Sequence, residues 1–501
     1  MQRFVKERSK KILAGSSLVK QTPLSPLLLL LIFLIATFVF SLRCTWTVAS
    51  TIASVSAKRL KLEARLNCWN GNETRCSKEE DDSYPVFETE AEAAVCPEYF
   101  RWIEEDLRAW KERGISREMV ERGRESAHFR LVVKKGRVYV ERYKKSIQTR
   151  DVFTMWAFLQ LLRRYPGRVP DLELMFDCDD LPVIRPRQYH PGPKPNVSGP
   201  PPLFRYCGDR WTEDIVFPDW SFWGWAEINI RPWEQMLKEI ENGNRRIKWN
   251  DREPYAYWKG NPFVAETRQD LLKCNVSSTQ DWNARLFVQD WIQESQQGFN
   301  KSNLASQCTH RYKIYIEGYA WSVSEKYILA CDSVTLLVKP RFYDFFIRSL
   351  QPTQHYWPIR DKDKCKSIKH AVDWGNSHKQ EAEKIGKAAS KFIQEELKMD
   401  YVYDYMFHLL SEYAKLLRFE ARVPEGAEEL CVESMACRRN GLEKKFMIES
   451  MVKEPSTKAP CSLPPPFHPT SLRLFNANKL NLIRRVERWE DNYWKNTTYH
   501  H

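Results

Sequence analysis

The sequence lacks the short motifs that define several large enzyme classes. It has no G-x-G-x-x-G segment, which disfavours nicotinamide and flavin binding, and no Walker A motif, which disfavours a P-loop ATPase. No two cysteines form a close CxxC pair, so zinc-ribbon and thioredoxin-like sites lose their main signature. The histidines His190, His310, His355 and His378 show no metal-ligand spacing, so we assign none of them to a metal.

Charge of one sign is not concentrated anywhere along the globular part of the chain. The formal net charge is +13, but 78 basic residues are interspersed with 65 acidic ones and form no arm or stripe. We therefore predict no nucleic-acid partner. The 501 residues, 43% of them hydrophobic, exceed what one small core needs and predict two or more packed domains.

The N-terminus has the pattern of a membrane signal-anchor. Residues 24–42 form an apolar run of 19 residues, and at about 1.5 Å per helical residue such a run covers the roughly 30 Å hydrocarbon core of a bilayer. The basic residues before it predict a cytosolic tail over 1–23 and a lumenal remainder. A cleaved signal peptide is the alternative, although Arg43-Cys44-Thr45-Trp46 is a poor cleavage site.

Cysteines and glycosylation sequons favour the same compartment. Twelve cysteines follow Cys44, an even set that suits disulfides, with six bridges as a possibility. Five Asn-x-Ser/Thr sequons agree with a lumenal face, and they begin at Asn72, Asn196, Asn275, Asn300 and Asn496.

The order of helical and strand patterns predicts an α/β fold. After a stem over 43–95, we predict one α/β domain over 96–255, a second over 256–420 and a basic extension over 421–501. Residues 131–133 and 138–140 predict a hairpin with a Gly turn, and residues 172–176 a strand. Two doubly wound, Rossmann-like domains would face each other across a cleft that holds the active site.

A βαβ unit is predicted in the second domain. Residues 312–317 form its first strand, 322–331 its helix and 333–338 its second strand. Ser322-x-x-Glu325 is a capping box, which places the start of the helix directly after the strand. Free N–H groups near Ser322 would then bind a diphosphate, with Arg268 as a possible phosphate partner; an unliganded βα turn is the alternative.

Three carboxylates follow the predicted strand at 172–176. Asp177 and Asp179 form a DxD pair that could hold a divalent cation and through it a diphosphate. Alternatively one Asp is a general base that deprotonates an acceptor hydroxyl, or the acids are only solvated loop residues. The dense aromatic segment 220–225 is either the wall of a sugar or peptide groove or part of the core.

Five ordered blocks together resemble glycosyltransferase family 90, the Rumi-like protein O-glucosyltransferases. They span about residues 96–419 and read VPDLELMFDCDDLP, FPDWSFWGWAEINIRPW, YWKGNPFVAETRQDL, RYKIYIEGYAWSVSEKYILACDSVTLLV and FFIRSLQPTQHYWPI. The resemblance implies a GT-B-like fold, an inverting reaction without a metal, and UDP-glucose or UDP-xylose as donor. It also implies that Asp180, which precedes Leu181-Pro182, is the base and that Asp177 and Asp179 are bystanders.

The resemblance also implies which residues contact the donor. Asn261 and Arg268 match donor-contacting positions, and Trp225 falls in an aromatic loop near donor and acceptor. The implied nucleotide loop comprises Gly318, Tyr319, Ala320, Trp321, Ser322, Val323 and Ser324. At Ser324 the family commonly has an Arg, so this chain departs from the pattern at a donor-phosphate position.

The sequence as a whole predicts a glycosyltransferase of the secretory pathway. The chain ends in Tyr499-His500-His501, where soluble Rumi proteins have an endoplasmic-reticulum retrieval sequence, so with the anchor we expect a single-pass type II protein of the Golgi membrane, with the endoplasmic-reticulum membrane as the alternative. The acceptor is a hydroxyl of a protein or of a polysaccharide. The alternative is a non-catalytic glycan-binding or scaffold protein of the same fold.

Overall fold

The computed structural model describes residues 94–189 and 199–498, together with Leu66, Cys68 and Cys76. The chain divides into two compact units, Met1–Gly71 and Asn72–His501, and the fold described below is that of the second. The predicted cytosolic tail and membrane span lie outside the described residues, as does most of the predicted stem. Among the helices that are described, none has both the length and the apolar character that a membrane crossing requires.

The second unit is a mixed α/β structure, as the sequence predicts. Its strands are β1 (Phe129–Lys134), β2 (Arg137–Arg142), β3 (Leu172–Phe176), β4 (Leu203–Arg205), β5 (Gly208–Asp209), β6 (Ile215–Val216), β7 (Glu253–Gly260), β8 (Ala284–Val288), β9 (His310–Tyr315), β10 (Val334–Val338), β11 (Phe342–Tyr343), β12 (Trp357–Ile359) and β13 (Glu428–Leu430). Its α-helices are α1 (Trp102–Asp106), α2 (Arg117–Arg122), α3 (Arg150–Arg164), α4 (Trp233–Arg246), α5 (Glu266–Leu271), α6 (Trp291–Gln296), α7 (Glu325–Leu329), α8 (Lys364–Ser377), α9 (Lys379–Glu396), α10 (Met399–Leu416), α11 (Val432–Ala436), α12 (Gly441–Glu449) and α13 (Pro469–Thr498).

The first sheet has the strand order β13-β2-β1-β3-β4-β6 and is not doubly wound throughout. The predicted hairpin β1–β2 is confirmed, and Lys135 and Gly136 take the positive φ angles of 49° and 71° that a two-residue turn requires. Such a turn forces antiparallel pairing, and β1–β3 and β2–β13 are antiparallel as well. In this sheet β3, β4 and β6 pair in parallel, so the Rossmann-like, doubly wound character predicted for the first domain holds for part of the sheet and not for all of it.

The second sheet is parallel throughout, with the order β8-β7-β9-β10-β12. Counted from β7, this is the 2-1-3-4-5 order of one doubly wound class of α/β fold. The direction of winding reverses between the neighbours β7 and β9. Ligands of open parallel sheets bind outside the carboxyl ends of the strands at such a reversal point.

The core of the second sheet explains why its strands carry so many consecutive apolar residues. Ala256, Trp258, Ile314 and Leu336 point from the strands into one apolar cluster in which each residue is less than a tenth exposed. Helix α8 covers this cluster with Ile368 and its neighbours. A sheet covered on its faces by helices has no solvated side, and each fully buried large apolar side chain contributes about 1.5–3 kcal/mol.

The segment predicted as a C-terminal extension reaches both sheets. Its strand β13 pairs with β2 at the edge of the first sheet. Further on, Val486 of α13 is 1% exposed within the core cluster of the second sheet. Arg360, which follows β12, holds the same helix by an ion pair of 2.7 Å to Asp491.

Ten of the described cysteines are disulfide-bonded, and bridges join Cys76 to Cys431, Cys96 to Cys461, Cys274 to Cys365 and Cys308 to Cys331. Cys178 and Cys207 are free thiols. The possibility of six bridges is therefore wrong. Both free cysteines are completely buried beside the carboxylate loop that follows β3, and burial raises the pKa of each thiol well above its usual value.

Candidate active site

A cavity of about 420 Å³ opens at the carboxyl ends of β7 and β9, at the reversal point of the second sheet. Residues of the first half of the unit complete its walls, among them Arg150, Asp180 and Trp220. Every site residue predicted from the sequence lines this one cavity: Asp180, Trp225, Asn261, Arg268, Gly318, Tyr319, Ala320, Trp321, Ser322, Val323 and Ser324. The structure thus brings the predicted residues together, while their individual roles stay predictions.

Asp177 holds the carboxylate loop in place and does not line the cavity. Its carboxylate is 1% exposed, is bonded by the guanidinium of Arg205, and lies 3.0 Å from Nδ1 of His128. Burial works to raise the pKa of Asp177, but the bond from His128 and the charge of Arg205 outweigh it and the pKa is lowered. Arg205 also donates to the carbonyls of Asp179 and Leu181, so it fixes both sides of Asp180.

His128, Asp177 and Asp179 are close enough together to offer ligands to a metal ion, since their ligand atoms lie within 4.8 Å of one another. The oxygens of Asp177 already have partners, because Arg205 bonds one and the Asp179 N–H donates to the other at 3.0 Å. Asp177 therefore holds the loop that carries Asp180. The bystander roles that the family resemblance implies for Asp177 and Asp179 stay a prediction.

Arg150 pairs with the predicted base and was not found by sequence reasoning. Its Nη1 donates to Oδ1 of Asp180 at 2.7 Å and also to the carbonyl of Cys178 at 3.3 Å. The guanidinium lies over the ring of Trp220, 4.5 Å from the centroid. Arg150 is the first residue of α3, and because 30 residues separate it from Asp180, no local pattern marks it.

The aromatic segment 220–225 divides between cavity wall and core. Trp223 is fully buried and donates its indole N–H to the hydroxyl of Tyr403 at 2.9 Å, so it belongs to the core. Trp220 and Trp225 line the cavity, with ring centroids 5.0 Å apart at 74°. Trp321 of the predicted nucleotide loop meets Trp220 from the other wall at 6.2 Å. Such indole faces suit the C–H faces of a sugar ring.

Arg268 forms no ion pair among the described residues, although the charge of Glu317 acts on it from a longer distance. Its guanidinium donates to the carbonyls of Asn261, Ile316 and Glu317 and to Oγ of Ser322, over distances of 2.9–3.2 Å. All four acceptors are neutral oxygens. Within the described chain, no carboxylate lies within ion-pairing distance of Arg268. Burial lowers the pKa of this guanidinium, and an anionic ligand would supply the missing charge.

The helix predicted from Ser322 is shorter than expected. α7 begins at Glu325 and has five residues, and the Ser322 side chain does not cap it. Instead the Ser322 N–H donates to the hydroxyl of Tyr315 at 3.1 Å, and its Oγ lies 2.8 Å from Oγ of Ser324. The capping-box prediction is therefore wrong, and so short a helix contributes little dipole at its start. Any anion binding here depends mainly on Arg268.

The comparisons with known proteins agree with this geometry. The model of glycosyl transferase family 90 matches residues 91–490, so the chain belongs to that family. The O-glucosyltransferase rumi of Drosophila melanogaster is 22% identical over 377 residues, covering 72% of this chain and 85% of that protein. Human protein O-glucosyltransferase 1 is 25% identical over 67% of this chain and 84% of its own length. Protein O-glucosyltransferase 2 of Danio rerio is 27% identical over 66% of this chain and 65% of its own length. The chain is therefore a glycosyltransferase, as the family resemblance predicts.

Proposed function

We propose that the chain is an inverting, metal-independent glycosyltransferase of GT-B type that moves glucose or xylose from a UDP-sugar to a hydroxyl of a protein or glycan acceptor. The observation that supports this most strongly is the cavity itself. One wall presents the Asp180 carboxylate, and the other presents the uncompensated guanidinium of Arg268. A general base and an anion-binding cation in one cleft are what transfer from a nucleotide sugar requires.

The proposed reaction is a single displacement. Asp180 takes the proton of the acceptor hydroxyl, whose oxygen forms a bond to the anomeric carbon as the bond from that carbon to the UDP oxygen breaks. The electron pair of the broken bond leaves with UDP, and Arg268 stabilises the negative charge on the departing diphosphate. Arg150 binds Oδ1 of Asp180 and so leaves Oδ2 to receive the proton, which makes Arg150 a positioning residue.

The substitution Asp180→Asn tests the base. Transfer should fall roughly 10²- to 10⁴-fold while the dissociation constant of UDP changes less than about twofold, because Asn keeps the shape of the side chain but accepts no proton. Asp179→Asn is the matched control, since Asp179 lies in the same loop with its side chain 47% exposed and outside the cavity wall. Near-normal turnover by Asp180→Asn would rule out this base.

Two other outcomes would point to different functions. If EDTA abolishes transfer and Mn²⁺ restores it, the reaction depends on a metal held by other residues or by Asp177 and Asp179. If no UDP-sugar is transferred or hydrolysed but glycans bind, the chain is a non-catalytic glycan-binding protein. A screen of UDP-sugars against glycan and peptide acceptors separates these cases.

We also propose that residues 24–42 anchor the chain in the Golgi membrane with the catalytic unit in the lumen. The disulfide-bonded cysteines support an oxidising compartment, and Asn300 and Asn496 of two sequons are exposed. Protease protection of the catalytic unit in sealed microsomes is the expected result. Digestion of that unit without detergent would contradict the proposed orientation.

A further inference from the structure

Lys313 is a further charged side chain in the cavity, and the proposed reaction does not use it. It lies in β9 opposite Tyr257 of β7, is 5% exposed, and lines the same cavity as Asp180. Its Nζ makes one hydrogen bond within the described chain, to Sγ of Cys331 at 3.4 Å, and lies 5.8 Å from the centroid of the Tyr257 ring. Because Cys331 is in a disulfide, that sulfur is a weak acceptor.

Two other buried lysines of the unit, unlike Lys313, have carboxylate partners. Lys326 lies 3.0 Å from a carboxylate oxygen of Asp219, and Lys364 lies 2.6 Å from one of Asp270. In the described residues, no carboxylate comes within ion-pairing distance of Lys313. Burial and the nearby guanidinium of Arg252 lower the pKa of Lys313 to about 7. A buried cation without a counter-charge is unfavourable, and in an active-site cleft it is commonly a ligand-binding group.

The surroundings of Lys313 in the cavity are suited to a sugar ring. Tyr257, opposite Lys313, contributes an aromatic ring, and elsewhere the same cavity is lined by the apolar Leu304 and by Gln307, whose amide can bond hydroxyls. The diphosphate of the donor is already assigned to Arg268. What Lys313 lacks is therefore one further anionic group, carried by a ligand that is otherwise uncharged and rich in hydroxyls.

We propose that Lys313 binds the carboxylate of an acidic sugar, so that the substrate at this end of the cavity is a uronic acid residue. The carboxylate belongs either to the sugar of the donor or to a uronic acid in an acceptor glycan. The proposal rests on the proposed function as a UDP-sugar-dependent transferase; if the carboxylate is that of the donor, UDP-glucuronic acid takes the place of the UDP-glucose or UDP-xylose proposed above. In both cases the ammonium and the carboxylate form a charge-assisted pair within the cavity.

The experiment uses the purified full-length chain and two matched pairs of substrates. In the donor arm, UDP-glucuronic acid is compared with UDP-glucose, which differs only at C6. In the acceptor arm, an oligosaccharide that contains glucuronic acid is compared with its carboxyl-reduced form. We expect the wild type to show at least a tenfold higher kcat/KM for the acidic member in one arm, and that arm identifies the source of the carboxylate.

In Lys313→Met, the ratio of kcat/KM for the acidic substrate to kcat/KM for its neutral counterpart should fall close to one. The dissociation constant of free UDP, which has no carboxylate, should stay within about twofold of the wild-type value. Lys339→Met is the control, because Lys339 is exposed directly after the neighbouring strand β10 and should leave the preference intact. A thermal melt of each variant confirms that the unit is folded.

Three results would overturn the proposal: no preference in either arm, a preference that survives Lys313→Met, or loss of UDP binding in that variant. The last would show that Lys313 contacts the nucleotide itself. Failure of the proposed function is distinguishable, because then no UDP-sugar is transferred at all. If neutral sugars are transferred with dependence on Asp180 but acidic ones are not preferred, only the uronic acid site fails.

Discussion

The two walls of the cavity differ in whether their charged side chains have partners of opposite charge. On the wall formed by the first half of the unit, Asp180 is paired with Arg150, and Asp177 with Arg205 and His128. On the wall formed by the second sheet, Arg268 and Lys313 have only neutral partners in the described chain. The charges on the first wall therefore have partners without a ligand, whereas the charges on the second wall gain partners of opposite sign only when an anion binds. The difference predicts which substitutions affect chemistry and which affect binding.

Among substitutions that remove a positive charge from the cavity, the largest effect is expected on the uncompensated wall. Arg268→Met should lower kcat/KM for a UDP-sugar by roughly 10²- to 10³-fold and weaken UDP binding, because the departing diphosphate loses its buried cation. Steady-state kinetics and calorimetry with UDP measure the two quantities. Arg285→Met on the neighbouring strand β8 is the control, since Arg285 is already paired with Asp281 at 2.9 Å. Unchanged UDP affinity in Arg268→Met would contradict the assignment of this wall to the donor phosphates.

A smaller effect, of a different kind, is expected on the compensated wall. Arg150→Gln should lower kcat about 10- to 100-fold with UDP affinity unchanged, because the carboxylate of Asp180 loses the bond that orients it.

A purely structural role of Arg150 would give a different pattern. Activity and UDP affinity would then fall together. Arg150→Lys should recover part of kcat with UDP affinity unchanged, because the positive charge beside Asp180 is restored.

The smallest effect concerns stability. Lys313 has a pKa of about 7 in the folded chain and of about 10.4 when unfolded, so the unfolded state binds more protons between these values. The free-energy cost of burying the protonated Lys313 is therefore largest below pH 7 and declines as pH rises. Lys313→Met should therefore melt higher than the wild type by a few degrees at pH 6, and the difference should shrink by pH 9.

The groups around Lys313 should not obscure this measurement. The pKa of His310 is lowered to about 4 by burial and by the charges of Lys313 and Arg285, and burial raises that of Tyr257, so neither titrates between pH 6 and 9. Arg252 stays charged throughout that range. A difference in melting temperature that does not vary with pH would mean that Lys313 keeps its proton in the folded chain across this range, so that its pKa is not lowered by folding.

Local sequence patterns predicted the strands and the site better than the pairing between distant segments. The β1–β2 hairpin follows from its Gly turn, and the strand β3 occupies the predicted residues 172–176. The predicted site residues meet in one cavity because each follows a parallel strand or lies in a family block. Local pattern could not show that β13 joins β2 or that Arg150 reaches Asp180, since these contacts depend on the folded chain as a whole.

The helix at Ser322 shows how a correct local rule can fail. Ser-x-x-Glu favours a capped helix start, but the Ser322 hydroxyl bonds Arg268 and its N–H bonds Tyr315 instead. The Glu325 side chain that would complete the box is buried, so it cannot turn back to the N-cap. The tertiary contacts that shape the cavity thus outweigh helix propensity at this position.

The path of the C-terminal segment has a consequence for biosynthesis. β13 completes an edge of the first sheet, Val486 fills the core beside the second, and Cys461 is the disulfide partner of Cys96. During synthesis, neither half of the unit can complete its fold as soon as its own residues have been made. Both halves need residues near the C-terminus, which are made last. Cys96 must stay reduced or mispaired until some 365 further residues have been added. The Cys76–Cys431 and Cys96–Cys461 bridges can therefore close only after translation is nearly complete, whereas Cys308–Cys331 and Cys274–Cys365 can close earlier.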